Sequence, residues 1–464
     1  MSSQSPVPAG WIANPPRLRL GLKAAMVAAM VVLLMIPLAM IRGTIAERQA
    51  YRQEAVASVA ESHAGAQVLA GPVLVIPYVE TLQVASTDAF GKPVLKTERR
   101  EGRWMRFPVR SHLDGKLVPA VRQRGLYEVR VYELQSRIDS DFDLVLPADP
   151  GGVRRIGAPW LSIAIADVRG LVGTPTLRLD GRALVLQQGP GAQRGGGGLH
   201  ADTGLGLVAG TRLRFQTRLQ LALGGTETLA LAPVADSNAV DLRSSWPHPQ
   251  FAGRFLPRSR RISDAGFQAH WDVSALASST QAQWLQGAAT RDLEALSVGL
   301  VEPVNVYSQA DRASKYGLLF VGLTFAGFFL FEVLKRLRIH PIQYVLVGLA
   351  LAIFFLLLLS LSEHMAFWIA YLSSSVACIG LLGAYLASVL RSRSRGLGFA
   401  AILTALYAAL YGLLVSEDNA LVLGSLLLFA ILAAAMLATR RIDWYAASAG
   451  TATADGVGAG VRGA

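Results

Sequence analysis

Six apolar runs constrain what this chain can fold into. They cover residues 24–41, 316–334, 342–361, 365–390, 397–415 and 420–438, and only the second contains a charged residue, Glu332, near its end. About 18 apolar residues let an α-helix cross the roughly 30 Å of hydrocarbon in a bilayer, because each residue adds about 1.5 Å. The runs therefore predict a membrane protein with a transmembrane helix at each of these positions.

Composition supports this prediction and narrows the choice of partners. Of the 464 residues, 52% are apolar and 16% are charged, whereas soluble proteins carry roughly 25% charged residues. The formal net charge of +12 is compatible with nucleic-acid binding, but the chain has no RNP motif, zinc-finger spacing or basic stripe with interleaved aromatic residues. We therefore expect the lipid bilayer as a partner and no nucleic acid.

The positions of the basic residues predict the orientation of the helices. Lys and Arg in short connections are retained on the cytoplasmic side. The clusters are Arg17, Arg19 and Lys23; Lys335, Arg336 and Arg338; Arg391, Arg393 and Arg395; and Arg440 and Arg441. Six alternating spans place all of these clusters inside. The sequence thus predicts that both termini are cytoplasmic, that residues 1–23 and 439–464 lie inside, and that residues 42–315 lie outside.

The first run and the last residues have particular features. The first run is longer than the 7 to 15 apolar residues of a signal peptide and has no Ala-x-Ala site, so we interpret it as an uncleaved anchor. The tail at residues 439–464 is rich in Ala, Gly and Thr, and we expect it to be disordered. A single cysteine, Cys378, excludes an intrachain disulfide, so an outer domain must be held by its own core.

The segment between the first two runs predicts a large, mainly β domain. Good helix formers without proline extend the first helix outward to about residue 62, as a stalk over 42–62. After it come short β-type runs, and in "RLRFQTRLQLAL" the apolar residues mostly alternate with polar ones, as a half-buried sheet requires. The expected fold class is an α+β membrane protein with an N-terminal anchor helix, a β-sandwich-like outer domain and a C-terminal bundle of five transmembrane helices.

Several long segments resemble the CreD family of inner-membrane proteins. They are "GPVLVIPY" at 71–78, "RGLYEVRVY" at 124–132, "SWPHPQFAGRFLPRSRRISDAGFQAHW" at 245–271, "KYGLLFVGLTFAGFFLFEVL" at 315–334 and "HPIQYVLVGLALAIFFLLLLSLSEHMAFWIAYL" at 340–372. The resemblance implies a multi-pass protein of the bacterial inner membrane with a periplasmic domain. It further implies a part in cell-envelope integrity and in the response to envelope or β-lactam stress, without an established enzymatic activity.

The residues themselves show no catalytic constellation. Seven histidines are present, yet none forms a His-Glu-x-x-His or His-x-His pair, and no Gly-x-Ser-x-Gly or Ser-x-x-Lys motif occurs. His270 and Asp272 can share a strand face, which we interpret as a structural contact. We therefore expect no metal, no cofactor and no catalytic residue.

Two groups of residues are candidate sites of another kind. In "WPHPQFAGRFLP" the residues Trp246, His248, Phe251 and Phe255 form either a binding surface or a proline-rich corner that closes the sandwich, and the second interpretation is favoured. At the outer ends of the second and third helices, Arg312, Lys315, Glu363 and His364 predict a salt-bridged structural collar.

Three classes of function remain open. The first is an envelope-integrity protein whose β domain binds an envelope protein or glycan, and this class is favoured. The second is a transporter or channel that uses the C-terminal bundle, although the runs carry few polar residues and no internal repeat. The third is an enzyme acting on cell-wall or lipid substrates. The oligomeric state is not determined by these patterns.

Overall fold

The computed structural model describes residues 16–87, 93–149, 154–189, 197–300, 306–335, 340–389, 392–416 and 420–440. Most of the tail predicted to be disordered, and residues 1–15 of the predicted cytoplasmic segment, lie outside the described residues. The chain divides into two compact units. The helix unit comprises Met1–Ala50 and Val304–Ala464, and the sheet unit comprises Tyr51–Pro303.

The described residues form seven α-helices and seventeen β-strands. The helices are α1 Pro16–Ser62, α2 Thr280–Leu285, α3 Val306–Lys335, α4 Pro341–Ser362, α5 Phe367–Val389, α6 Arg393–Val415 and α7 Ala420–Thr439. The strands are β1 Gln67–Thr87, β2 Pro93–Arg106, β3 Arg110–Arg124, β4 Tyr127–Val145, β5 Arg154–Ile156, β6 Trp160–Ile165, β7 Leu171–Leu179, β8 Arg182–Leu184, β9 Gln187–Gln188, β10 Gly197–Asp202, β11 Arg212–Thr226, β12 Thr228–Ala232, β13 Ser237–Ser244, β14 Pro249–Gly253, β15 Ser259–Ser263, β16 Gly266–Ser274 and β17 Leu296–Leu300.

The strands of the sheet unit form two sheets. The nine-stranded sheet has the order β14-β17-β12-β1-β6-β10-β9, with β2 and β5 also paired to β1, and the eight-stranded sheet has the order β15-β16-β13-β3-β4-β11-β7-β8. Buried apolar side chains of both sheets share one hydrophobic core. The prediction of a mixed α+β chain with apolar helices and a large sheet domain is confirmed. The domain is not purely β, because it also contains the end of α1 and the short helix α2.

Alternation along the strands determines which side chains reach this core. On β4, Leu134, Ile138 and Phe142 are buried, whereas the intervening Arg137 and Asp139 point away from the core. Since the side-chain period of a strand is two, a slip of one residue would move every apolar side chain to the other face. The hydrophobic pattern therefore fixes the register of the eight-stranded sheet and leaves a polar outer face.

A buried glutamine joins the end of α1 to the sheets. The side chain of Gln67 is fully buried. Its amide nitrogen donates to the backbone oxygens of Asp167, at 2.8 Å, and Gly224, at 3.0 Å, while its amide oxygen accepts from the backbone nitrogen of Asp167 at 3.1 Å. Through these three hydrogen bonds Gln67 links its own strand to the segments at Asp167 and Gly224.

The Asp167 side chain continues this connection to the helix. It accepts two hydrogen bonds from the guanidinium of Arg169, which lower the pKa of Asp167 to about 2 against the opposing effect of burial. Arg169 in turn donates to the backbone oxygen of Glu61 at 2.6 Å. A cation at the last turn of a helix satisfies carbonyl groups that have no partner within the helix. The pair therefore caps the C-terminus of α1.

The helix unit is packed through glycines that let helices approach closely. A Cβ atom at Gly348 on α4 would lie 2.1 Å from Leu34 Cδ1 of α1 and 2.9 Å from Phe325 Cζ of α3. A Cβ atom at Gly317 on α3 would lie 3.4 Å from Leu38 Cδ2 of α1. Small residues at such contacts are typical of helix packing in membranes. Helix α1 thus lies against α3 and α4.

Four helical stretches among the described residues are long and apolar enough to cross a membrane. They are Ala25–Ser62, Pro341–Ser362, Phe367–Val389 and Arg393–Val415. Helices α3 and α7 overlap the other two apolar runs, and the count of six spans stays a prediction. On α3, the carboxylate of Glu332 is buried and accepts a 2.8 Å hydrogen bond from the hydroxyl of Tyr344 on α4.

Candidate functional site

The outer face of the eight-stranded sheet carries a group of charged and polar side chains on four neighbouring strands. Alternation buries Leu113, Leu242 and Ala269 in the core and leaves the residues between them on the other face. These outward residues are His112, Asp114 and Lys116 on β3; Asp241 and Arg243 on β13; Gln268, His270 and Asp272 on β16; and Arg261 on β15.

The strand register places three cations in one row across this face. Lys116 lies opposite Arg243, Arg243 lies opposite Gln268, and Gln268 lies opposite Arg261. Neighbouring strands are about 4.8 Å apart, so the row is compact. We name Lys116, Arg243 and Arg261 the basic row. Within the part of the chain that the structure describes, neither Lys116 nor Arg261 has an ion-pair partner.

The adjacent row contains two carboxylates, and each has a cationic or histidine partner. Asp114 lies opposite Asp241, which lies opposite His270. Asp241 Oδ2 is 2.9 Å from His112 Nε2, and its Oδ1 is 2.8 Å from His270 Nδ1. Asp114 Oδ1 accepts a 2.8 Å hydrogen bond from Arg243 Nη1. Because both carboxylates are engaged, neither cancels the charge of Lys116 or Arg261.

The hydrogen bonds of Asp241 shift the ionisation of two groups. Burial opposes ionisation of Asp241, but the hydrogen bonds from His112 and His270 keep the pKa of Asp241 below its ordinary value. The same hydrogen bond to Asp241 raises the pKa of His270, with burial opposing and Asp272, 3.1 Å from its other ring nitrogen, adding to the rise. Asp241 is therefore ionised at neutral pH, and His270 gains a proton more readily than a free histidine.

Two adjoining cavities form a groove over these rows. Their volumes are about 670 Å³ and about 300 Å³, and they share Arg243, Arg261 and Gln268. The cations on the outer face that line this groove are Lys116, Arg243 and Arg261, and its carboxylates are Asp114 and Asp241. Three cations against two carboxylates give the groove a positive balance even with both histidines neutral. It is therefore suited to anions.

The groove does not have the composition of a metal site. Over the described ranges, no group of three or more His, Cys, Asp or Glu side chains is arranged to hold a metal ion. Asp241 holds its two histidines through hydrogen bonds at 2.8 and 2.9 Å, and guanidinium groups flank it. These side chains can pair with an anion and exchange protons.

The aromatic residues of the proline-rich segment lie against the core. Trp246, Phe251 and Phe255 are partly buried and pack on it, whereas His248 is exposed. The indole nitrogen of Trp246 donates to the backbone oxygen of His248 at 2.9 Å, and the guanidinium of Arg130 lies 4.4 Å from the centre of the Trp246 ring. This placement suits a corner that closes the sandwich, and binding by these four residues stays a prediction.

Two of the predicted collar residues, Glu363 and Lys315, contact partners outside the predicted collar. Glu363 Oε1 is 3.5 Å from Arg48 Nε of α1 and accepts a 3.4 Å hydrogen bond from the Tyr307 hydroxyl of α3. Lys315 pairs with Asp311 within α3, at 2.7 Å. Glu363 thus ties the end of α4 to two other helices. Arg312 is half-buried on α3 and His364 is exposed after α4. The predicted collar, in which Glu363 or His364 lies near Arg312 or Lys315, stays a prediction.

Sequence reasoning found His270 and Asp272 but missed the rest of the groove. Alternation in "SHLDGK", "VDLRS" and "FQAHWDV" is sufficient to place His112, Asp241 and His270 on polar faces. It does not show that β13 pairs with β3 in parallel, which brings these faces together. Arg48 was missed as the partner of Glu363 because it lies in the predicted stalk, far from α4 in sequence.

Comparison with known proteins identifies the family. A family model described as "Inner membrane protein CreD" matches residues 19–445. The chain belongs to the CreD family. A relative, the inner membrane protein CreD of Escherichia coli strain K12, is 36% identical over 423 residues, which cover 90% of this chain and 92% of the relative. The family resemblance read from the sequence is confirmed, and the CreD description is that of an inner-membrane protein and not of an enzyme.

The solved structures that match this CreD-family chain are only distantly similar to it. An M1 zinc metallopeptidase from Deinococcus radiodurans is 9% identical over 42% of each chain, with a TM-score of 0.19. A two-domain M1 zinc metallopeptidase mutant bound to L-tryptophan is 10% identical over the same shares, also with a TM-score of 0.19. Likenesses at this level bear on neither fold nor activity.

Proposed function

We propose that this CreD-family chain spans the inner membrane six times, with both termini in the cytoplasm and residues 42–315 in the periplasm. There it contributes to cell-envelope integrity and to the response to envelope or β-lactam stress, by binding an envelope component in the groove of the eight-stranded sheet. The helices anchor this binding domain. The four apolar stretches, the two further helices α3 and α7, and the basic clusters at the expected cytoplasmic ends support this topology.

The observation that carries the proposal is the basic row. Like charges directly opposite each other on neighbouring strands are destabilising, and Lys116 faces Arg243 directly. Both Lys116 and Arg261 are exposed and have no ion-pair partner in the described part of the chain. An anionic group in the groove would relieve this repulsion. The row is therefore better explained by binding than by stability of the sheet.

A complementation experiment tests this proposal. In a strain that lacks the protein, we expect the double variant Lys116→Glu, Arg261→Glu to lose most of its ability to restore tolerance to detergent and β-lactam stress. Charge reversal makes the row repel an anion, while both side chains are exposed and outside the core. The double variant should reach the membrane in wild-type amounts, as measured by immunoblot.

The matched control is Arg99→Glu, Arg103→Glu on β2 of the nine-stranded sheet. Both of these arginines are exposed and lie four residues apart on β2, hence on one face of the strand, and we expect full complementation from this variant. Full complementation by the groove variant would contradict the proposed function. Equal failure of both variants would also contradict it, because the effect would then follow net charge and not the groove.

A further inference from the structure

We propose that the ligand of the groove is a phosphate ester of a polyhydroxy compound, with its phosphate on the basic row and its hydroxyl groups on the adjacent carboxylate row. This inference rests on the proposed function and names the chemistry of the ligand at the same site. Sugar phosphates and glycerol phosphate, which are both phosphate monoesters, share this chemistry.

The geometry of the basic row suits a phosphate group. The sheet register places Gln268 between Arg243 and Arg261, with Lys116 on the other side of Arg243. An arginine fork donates two parallel hydrogen bonds to a phosphate, and lysine adds a compact positive charge. The amide nitrogen of Gln268 adds a neutral donor. The row therefore offers donors from four strands to one group of acceptor oxygens.

Charge favours phosphate over carboxylate as the bound group. The smaller cavity is lined by Lys116, Arg243 and Arg261 and by no carboxylate side chain. A phosphate monoester carries a charge of about −1.5 to −2 near neutral pH, whereas a carboxylate carries a single negative charge. Among the residues that the structure describes, Arg243 alone in the row has a carboxylate partner, Asp114. A dianion therefore matches the two remaining cations, and a monoanion leaves one of them uncompensated.

The larger cavity indicates what the phosphate is attached to. Its volume of about 670 Å³ exceeds what a phosphate group needs and lies in the range of small-molecule sites. It is lined by Asp114 and Asp241, which repel a second phosphate. Ionised carboxylates have free acceptor positions beyond those used by their present partners. Hydroxyl groups are the donors that fit there, so the remainder of the ligand is a polyol.

Calorimetric titration of the full-length protein in detergent at pH 7 tests this inference. The probes are glucose 1-phosphate, glycerol 3-phosphate, glucuronate and glucose. We expect the phosphate esters to bind, and we expect Lys116→Gln with Arg261→Gln to weaken their binding at least about tenfold, since charge-assisted hydrogen bonds to phosphate are roughly twice as strong as neutral ones. Arg99→Gln with Arg103→Gln should bind as the wild type does.

The arms of the experiment separate the possible outcomes. Tighter binding of glucose 1-phosphate than of glycerol 3-phosphate supports a phosphorylated sugar, and the reverse order supports a glycerol phosphate. Binding of glucuronate as tight as that of the esters, or no binding of either ester, overturns the inference. If neither ester binds while the groove variant still fails in cells, only the ligand class is wrong. If the esters bind while that variant complements fully, the proposed function is wrong.

Discussion

Replacement of Gln67 by leucine should lower the free energy of unfolding of the sheet unit by about 2 kcal/mol or more, because it removes three buried hydrogen bonds with a net contribution of roughly 0.5–1.5 kcal/mol each. Leucine fills a similar volume but removes hydrogen bonds to the two backbone oxygens and one backbone nitrogen that Gln67 satisfies. The affected groups lie on segments around Asp167 and Gly224, so the strands and the end of α1 should loosen together.

Urea unfolding of the full chain, followed by tryptophan fluorescence, measures this loss. The matched control is Gln220→Leu, the same substitution at an exposed position on the outer face of β11. We expect the control to change the free energy of unfolding by no more than about 0.5 kcal/mol. Equal midpoints for the two variants would show that the buried hydrogen bonds of Gln67 do not hold the sheet unit together.

A second large effect is expected in the helix unit from Gly348→Leu. Even a Cβ atom at this position would lie 2.1 Å from Leu34 Cδ1 and 2.9 Å from Phe325 Cζ. The end of Leu34 can rotate, but the Phe325 ring is buried and packs edge-to-face with Tyr344. A whole leucine side chain therefore has to displace a neighbouring helix, and overpacking of this kind costs about 1–3 kcal/mol.

The chain has a single cysteine, and its labelling can report this destabilisation, so no labelling site has to be introduced. Cys378 on α5 is 5% exposed, so a thiol-reactive fluorophore reacts with it when the helix unit opens on heating. We expect Gly348→Leu to lower the transition by several degrees. Gly322→Leu on α3 is the control, since nothing lies within 4 Å of a Cβ atom there. Equal transitions for both variants would argue against close packing at Gly348.

Local patterns in the sequence predict which segments form helices and strands better than they predict which strands lie side by side. The apolar runs coincide with helices because lipid requires long uncharged helices, and alternation located strands such as β11 because one face is buried. These signals depend on residues that are close in sequence. They place a residue on a face but do not show which strand lies beside it.

The groove depends on the information that local patterns lack. His112 and Asp241 bond to each other although they are 129 residues apart, and the contact exists only because β3 and β13 pair in parallel. Asp114 and Arg243 meet for the same reason. The same limit applies to Arg48 and Glu363, which come from helices far apart in the chain. Charges that appear scattered in sequence thus form ordered rows in the sheet.

We expect the groove to face the envelope on the outer side of the inner membrane. Cysteine accessibility tests it directly, since the native Cys378 is buried. Arg261→Cys and Arg395→Cys place one exposed thiol in the groove and one at the start of α6. In cells with a permeabilised outer membrane and an intact inner membrane, a membrane-impermeant maleimide should label Arg261→Cys and should label Arg395→Cys only after the inner membrane is opened. Labelling of Arg395→Cys in the intact cells, or protection of Arg261→Cys there, would contradict the account.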